Sequence, residues 1–355
     1  MRAVVYSAVG APPRLTETAD PVCPADGVVV AVRATGVCRS DWHAWRGHEA
    51  VPLPHVPGHE FAGTVAEVGS AVEGFAVGDR VTAPFVNGCG RCRWCRTGQA
   101  QVCPDQTQPG FTGPGSFAER VVVRAAGTNL VRLPDQVDFV AAAALGCRFA
   151  TAFRAVTGHH RPAPGDPVAV VGCGGVGLSA VMIATALGAR VVAVDPSEAA
   201  RTRARELGAV AALAAGEPAA TAAEVAAALR SPDREDDVDG AVLAIDCFGS
   251  AATAEASVRS LARRGHHVQA GLMLGPEAAA PLPWDLLVAR ELSVHGSHGM
   301  AAADYPEMLA LIAEGRLRPD RLVGAVIGLD GAAEALTAMD APVTGRAGAT
   351  VIRLD

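Results

Sequence analysis

The chain has 355 residues, half of them hydrophobic and 19% charged, with 39 glycines and 24 prolines, a composition typical of an α/β protein long enough for two domains. A net charge of -7 without a basic block excludes nucleic acid or an anionic membrane surface as the obvious partner. All 30 basic residues are arginine, so lysine Schiff-base chemistry, and with it pyridoxal phosphate, is excluded.

Taken in chain order, Arg2–Tyr6 reads as a strand rather than the charged head of a signal peptide, so a cytoplasmic protein is expected. Short strands punctuated by Gly, Pro and Asp follow at Val28–Ala34, Gly63–Val68, Arg80–Ala83 and Phe117–Val123. Val77–Val81 reads as a turn feeding a strand. Between the first two strands lies a short polar loop, Gly36–His43, holding Cys38, Arg39, Ser40, Asp41 and His43. After Phe139 a helix is expected over Ala141–Val156, then a proline-rich loop to Pro167. Strand and helix then alternate: Val168–Val171, Leu178–Leu187, Arg190–Val194, Glu198–Leu207, Ala223–Leu229, Ala241–Asp246, Ala251–Ala262, His266–Ala270 and Leu292–Gly296. That rhythm implies a parallel, doubly wound sheet. A helix at Tyr305–Glu314 and strands ending at Val351–Leu354 complete the chain, and this tail is expected to rejoin the first domain. The charge run Asp233–Asp239 reads as a solvated loop. Pro167–Ala189 is 23 residues without a charge, long enough to span a bilayer, but its glycines and β-branched start fit a strand, a tight turn and a buried helix.

Gly172-Cys-Gly-Gly-Val-Gly177 follows a strand and opens a helix, the setting in which G-x-G-x-x-G cradles a dinucleotide pyrophosphate. Gly172 permits the turn, Gly174 the approach of the pyrophosphate, and Gly177 the packing of helix on strand. Asp195, eighteen residues past Gly177, stands where a carboxylate binds ribose hydroxyls and repels a 2′-phosphate, favouring NAD over NADP. Arg201, Arg203 and Arg205 keep NADP open, unless they form an exposed helix face. Nine cysteines without an export signal point to metal or catalysis rather than disulfides. Four of them, Cys89, Cys92, Cys95 and Cys103, are close enough in sequence to enclose one structural zinc, with Gly88, Gly90 and Gly98 freeing the backbone.

The order and spacing of Gly36–Asp41, Gly58-His-Glu60, the Cys89–Cys103 loop, Cys147 and the Gly172–Gly177 turn resemble the zinc-dependent alcohol dehydrogenases of the medium-chain dehydrogenase/reductase superfamily. The resemblance covers essentially the whole chain. It implies an α/β protein with a β-rich GroES-like catalytic domain (residues 1–150 and 297–355) and a Rossmann cofactor domain (151–296). It implies two zinc ions and NAD. The catalytic zinc would be held by Cys38, His59 and Cys147, with Glu60 as a transient or neighbouring ligand. Asp41 would fix the His59 tautomer, and Ser40 and His43 would relay the alcohol proton. Arg39 would meet the pyrophosphate, together with Gly172, Gly174, Gly175 and Gly177. Thr151 and Val176 would pack on the nicotinamide. Leu272 would line the cofactor or, with Phe85 and Trp42, the substrate wall. Many relatives carry Lys five residues past the acidic ribose-binding position; here it is Ala200, beside Arg201. The implied reaction is oxidation of a primary or secondary alcohol. The alternative is a zinc-containing reductase acting on an iminium or conjugated C=C bond with NAD(P)H. A homodimer or homotetramer is implied.

Overall fold

The segment Val28–Val37 is rich in β-branched residues, which suit a pleated, buried surface, and forms one ten-residue strand. The computed structural model that places it describes residues 1–230, 239–341 and 348–354. The expected Asp233–Asp239 loop lies, up to residue 238, outside these. The described chain divides into two compact units.

The first unit comprises residues 1–150, 299–341 and 348–354. Val28–Val37 is the hub of its seven-stranded sheet, pairing antiparallel with Glu60–Val68, Arg120–Val123 and Ala349–Arg353. The register sets Gly36 opposite both Glu60 and Val351. Val30, Phe61, Val65, Val81, Phe117, Val121 and Ile352 fill the core beneath. The strand expected from Phe117 begins only at Arg120, because the Phe117 backbone is already bonded to Val4 and Pro57. Gly36–His43 is not a loop. Gly36 and Val37 end the strand, Cys38 is the cap residue, and Arg39–Trp45 is a helix. Its start is fixed by Asp41, whose Oδ2 accepts the Cys38 backbone N–H at 3.0 Å, the reach-back of a third-position acid.

The helix expected over Ala141–Val156 comes in three parts. Phe139–Ala143 and Ala150–Thr157 are α-helical, and Leu145–Phe149 between them is a π turn centred on Cys147. Such an extra residue per turn rotates a side chain out of the α-helical register.

The second unit spans the described part of residues 151–298. Its six parallel strands lie in the order Ala211–Leu213, Arg190–Val194, Pro167–Val171, Ala241–Asp246, Leu261–Gln269, Ser293–Gly296. Numbered within the unit this is 3-2-1-4-5-6, the Rossmann arrangement, whose strand order reverses between the first and fourth strands. The helix expected over Ala251–Ala262 stops at Arg259, and Leu261–Ala262 already belong to the next strand. Among the described residues no helix is long and apolar enough to cross a membrane. The uncharged stretch from Pro167 is instead a strand, a turn and the buried helix Gly175–Ala186.

A Cβ built on Gly177 would lie 1.8 Å from the Gly172 carbonyl oxygen, whereas one on Gly174 meets nothing within 4 Å. Gly177→Ala is therefore expected to lower stability by about 1–3 kcal/mol through overpacking. Gly174→Ala should stay within about 0.5 kcal/mol. Thermal unfolding of the two variants checks the contrast.

The same unit carries a column of stacked imidazoles. His160 lies 4.2 Å from His266, His266 5.4 Å from His295, and His295 5.2 Å from His159, with planes within 27°. His266 Nδ1 and His295 Nε2 share a 3.1 Å hydrogen bond. Burial, then the neighbouring imidazoles, holds His266 below its ordinary value; burial, then Arg154 and His295, does the same to His159. An unfolded histidine titrates near about 6.5. Below that pH the unfolded chain takes up protons that His266 and His159 resist in the folded state, so their contribution to stability is full above about 6.5 and lost as pH falls toward the depressed folded values. Urea unfolding at about pH 7.5 and about pH 5.5 should show the wild type losing more stability on acidification than His266→Asn. An equal loss in both would contradict it.

Candidate active site

The first unit gathers Cys38, His59, Glu60 and Cys147 so that one potential ligand atom from each lies within 4.8 Å of the others. Cys38 comes from the strand end, His59 and Glu60 from the start of Glu60–Val68 and the residue before it, and Cys147 from the π turn. Asp41 ties the first two of these segments together. Beyond the Cys38 N–H, its Oδ1 accepts the Gly58 N–H at 3.0 Å and His59 Nδ1 at 2.9 Å. Asp41, His59 and Glu60 are fully buried. With Nδ1 bonded to a carboxylate, the His59 lone pair sits on Nε2, and that buried atom has no hydrogen-bond partner. An orphaned imidazole nitrogen facing two thiols is what a borderline metal such as zinc requires.

Before any metal binds, the charges of the site pair with one another. The Cys147 thiol hydrogen-bonds Cys38 and, with His59, drives Cys38 well below the ordinary thiol value despite burial. Burial opposes charge on His59, but the Asp41 charge and hydrogen bond outweigh it and hold the ring above its usual range, so a metal would bind Nε2 by displacing its proton.

Glu60 is placed differently from a free ligand. Its Oε1 accepts the Arg148 backbone N–H and Nε, each at 3.0 Å, and its Oε2 pairs with Arg148 Nη2. Burial pushes the Glu60 carboxyl up and Arg148 pulls it back. Gly36 leaves room for this pair, since a Cβ there would lie 2.3 Å from Glu60 Oε2. Arg148 had no sequence signal except its place beside Cys147. Phe85 and Phe111 flank the His59 ring, centroids 6.1 and 5.1 Å away. Phe111 was also unforeseen, as was Tyr305, fully buried with an unpartnered hydroxyl and raised by burial and by Cys147 and Glu60.

Of the remaining helix residues, Ser40 Oγ lies 3.9 Å from Cys38 Sγ. Arg39 is exposed, donates to the Met339 carbonyl at 2.7 Å and covers the Trp42 ring. Trp42 bonds Asp340 Oδ1 and contacts the rings of His43 and His48. It packs toward Tyr6 and Trp45, so it serves as a support rather than an open wall.

A second group that could hold a metal ion comprises Cys89, Cys92, Cys95 and Cys103. Cys92 Sγ lies 3.5 Å from Cys95 Sγ and 3.7 Å from Cys103 Sγ. Zinc–sulfur bonds of about 2.3 Å in a tetrahedron demand sulfur–sulfur edges of about 3.8 Å, so the loop is already close to that shape. Among the described residues no disulfide forms. A Cβ on Gly88 would fall 2.7 Å from Cys95 Sγ.

In the second unit, Gly172 turns with φ +88° after strand Pro167–Val171, and Gly174 caps the helix that Gly175, Val176 and Gly177 begin. Asp195 is held by the N–H groups of Cys173 (2.7 Å) and Ser197 (2.8 Å). This fixes the carboxylate beside the glycine turn while leaving lone pairs for hydroxyl donors. The open space at Gly174 and this fixed acid fit a dinucleotide. Arg201 does not face outward: its guanidinium bonds the Asp195 and Pro196 carbonyls and Glu198. Arg203 is buried and pairs with Glu206, and Arg205 pairs with Glu198. The three therefore do not form a simple exposed face. Thr151 is buried, Leu272 is half exposed and Val176 is partly so. Unforeseen here was Asp246, whose buried carboxylate accepts the N–H groups of Phe248 and Gly249, Thr253 Oγ1 and Gln269 Nε2. It shapes the loop whose Phe248 lies against Gly172.

Comparison with known proteins adds independent evidence. Residues 24–135 match the alcohol dehydrogenase GroES-like domain and residues 175–314 the zinc-binding dehydrogenase domain. An alcohol dehydrogenase of Geobacillus stearothermophilus is 35% identical over 297 residues, 82% of each chain. The solved alcohol dehydrogenase TADH from Thermus sp. ATN1 is 28% identical with a TM-score of 0.88, covering all of both chains. A zinc-binding dehydrogenase from Sinorhizobium meliloti 1021, solved bound to NADP, is 28% identical with a TM-score of 0.83 over 99% of each chain.

Removing one partner of a buried ion pair costs about 3–5 kcal/mol, because the other charge is stranded. Arg148→Met should lose that much in urea unfolding, and adding Glu60→Gln should restore part of it. If Arg148→Met unfolds like the wild type, the pair contributes nothing.

Proposed function

Because the chain belongs to the zinc-dependent alcohol dehydrogenases of the medium-chain dehydrogenase/reductase superfamily, we propose that it oxidises a primary or secondary alcohol reversibly to an aldehyde or ketone with NAD. The observation that carries this reading is the buried, unpartnered His59 Nε2 set among Cys38 and Cys147, with Asp41 behind it. Cys38, His59 and Cys147 hold the catalytic zinc and the Cys89–Cys103 loop the structural one. When bound, zinc supplies Lewis acidity at the substrate oxygen and NAD accepts the hydride.

The chain's own residues do the rest. Asp41 locks the His59 tautomer, and Arg148 occupies Glu60, so that the two thiolates and the imidazole supply the ligands and a fourth position remains for substrate. Phe85 and Phe111 wall that position and limit water. Ser40 takes the hydroxyl proton and His43 carries it toward solvent. Arg39 and the Gly172–Gly177 turn bind the pyrophosphate, while Thr151, Val176 and Leu272 contact the rest of the cofactor. Asp195 accepts the ribose hydroxyls. NAD is favoured over NADP because Arg201, the nearest cation after Asp195, is committed to backbone carbonyls and Glu198. The protein acts as a cytoplasmic homodimer or homotetramer. The exposed Val288 and Val294, the latter on edge strand Ser293–Gly296, support that association.

The test is a panel of primary, secondary, cyclic and aromatic alcohols with NAD and NADP, following reduced cofactor, alongside metal analysis. Two zinc ions per chain and turnover with NAD are expected. Cys38→Ala should retain one zinc ion and lose turnover by a factor of at least about 10³. Undiminished turnover in Cys38→Ala would refute the catalytic-zinc assignment.

A further inference from the structure

Helix Arg39–Trp45 ends with Gly47 in the left-handed region, at φ +77°. The Gly47 N–H donates to the Ala44 carbonyl at 3.0 Å and the His48 N–H to the His43 carbonyl at 2.9 Å. These two bonds define a Schellman termination, which folds the residue after the glycine back onto the helix residue five earlier. That meeting is ordinarily apolar. Here both residues are histidines, and their Nδ1 atoms are 2.8 Å apart. Trp42 lies edge-on to both rings, at 5.0 Å and 5.4 Å, and is itself tied to Asp340 through Nε1 at 2.7 Å. Two nitrogens at that distance share one proton, so the neutral rings hold opposite tautomers. His43 is half-buried and His48 is exposed.

We propose that His48 is the proton-accepting partner of His43, linking the inner imidazole to solvent; this rests on the alcohol-oxidising reading. Each alcohol oxidised yields one hydride and one proton. His43 Nε2 takes the proton, the His43 Nδ1–H bond breaks as the His48 Nδ1–H bond forms, and His48 Nε2 releases its proton to water. No electrons change hands in these steps. The swapped tautomers are the ones that carry a proton inward for carbonyl reduction, and tautomer exchange of both rings through water resets the pair for oxidation. The charged groups around the pair are Arg39 and Cys38 at the start of the helix, and Arg46 with Asp340 beside Trp42. Burial, then His48 and Arg39, holds His43 below the usual imidazole value while Cys38 pulls it up. A proton therefore does not dwell on the inner ring. His48 touches no reacting atom and acts through His43, as a positioning and proton-accepting residue.

The test measures kcat for alcohol oxidation against pH in the zinc-loaded full chain, for the wild type, His48→Phe and His48→Gln, with zinc content and NADH binding measured alongside. Phe keeps the ring and removes both nitrogens, whereas Gln accepts the His43 hydrogen bond and cannot carry a proton. Both variants should retain zinc and NADH binding and lose at least about tenfold in kcat near neutral pH, with recovery on adding imidazole. A pH profile superposing on the wild type in His48→Phe would overturn the proposal. So would full activity in His48→Gln, because holding the His43 ring would then suffice. A wild type that oxidises no alcohol in the panel would overturn the proposed function itself, and this inference with it.

Discussion

The buried carboxylate of Asp41 is the interaction on which the first unit's chemistry rests. Three donors from two chain segments converge on it: the Cys38 N–H, the Gly58 N–H and His59 Nδ1. A buried acid is costly unless its lone pairs are satisfied, and here satisfying them also assembles the site. The same contact starts the helix that carries Ser40 and His43, orients His59 and sets the spacing between His59 and Cys38. Sequence proximity does not bring His59 to Cys38; the carboxylate between them does.

Each unit solves a different problem with close backbone approach. In the first, Gly36 makes room for the Glu60–Arg148 pair, allowing a charged residue at the heart of a sheet to be neutralised. In the second, Gly177 closes on the Gly172 carbonyl, so that the helix N-terminus stands directly over the end of the first strand. That is the crevice where strand order reverses and where open α/β sheets bind ligands. Asp195 and Asp246, at or just beyond the ends of strands on either side of the first, hold the flanking loops through backbone N–H groups. The acids thus do structural work at the same places where a nucleotide would be met.

The fold class was legible in the sequence because βα alternation and a glycine turn between strand and helix are local patterns. Arg190–Val194 and Ala241–Asp246 could be bounded to the residue, since each is an apolar run between sharp turns. Arg39–Trp45 was not legible as a helix. It is seven residues long with no apolar period, and its existence depends on Asp41 reaching back to its cap. The π turn at Cys147 was likewise hidden, because an Ala-rich stretch signals helix without revealing an extra residue in one turn. At the sites, the clustered cysteines were conspicuous for their covalent spacing alone. Arg148, Phe111, Tyr305 and Asp246 gave no such signal, since each matters only through contacts with residues distant in sequence. Arg203 shows the reverse error: a basic residue on a charged helix looks solvated, yet it is buried against Glu206.

The hydrogen bonds around Asp41 and the Glu60–Arg148 pair bear on the order in which the protein matures. His59 and Cys38 are held in place by the polypeptide itself, and the buried Glu60 beside them is already neutralised by Arg148. This cluster therefore resembles a finished socket, one that could take up an ion without rearranging the sheet. In the Cys89–Cys103 loop, Cys92 Sγ lies 3.5 Å from Cys95 Sγ and 3.7 Å from Cys103 Sγ, and thiolates at those distances would repel one another. A bound cation would offset that repulsion. A metal ion would thus meet a preformed site at the first cluster and relieve thiolate repulsion at the second.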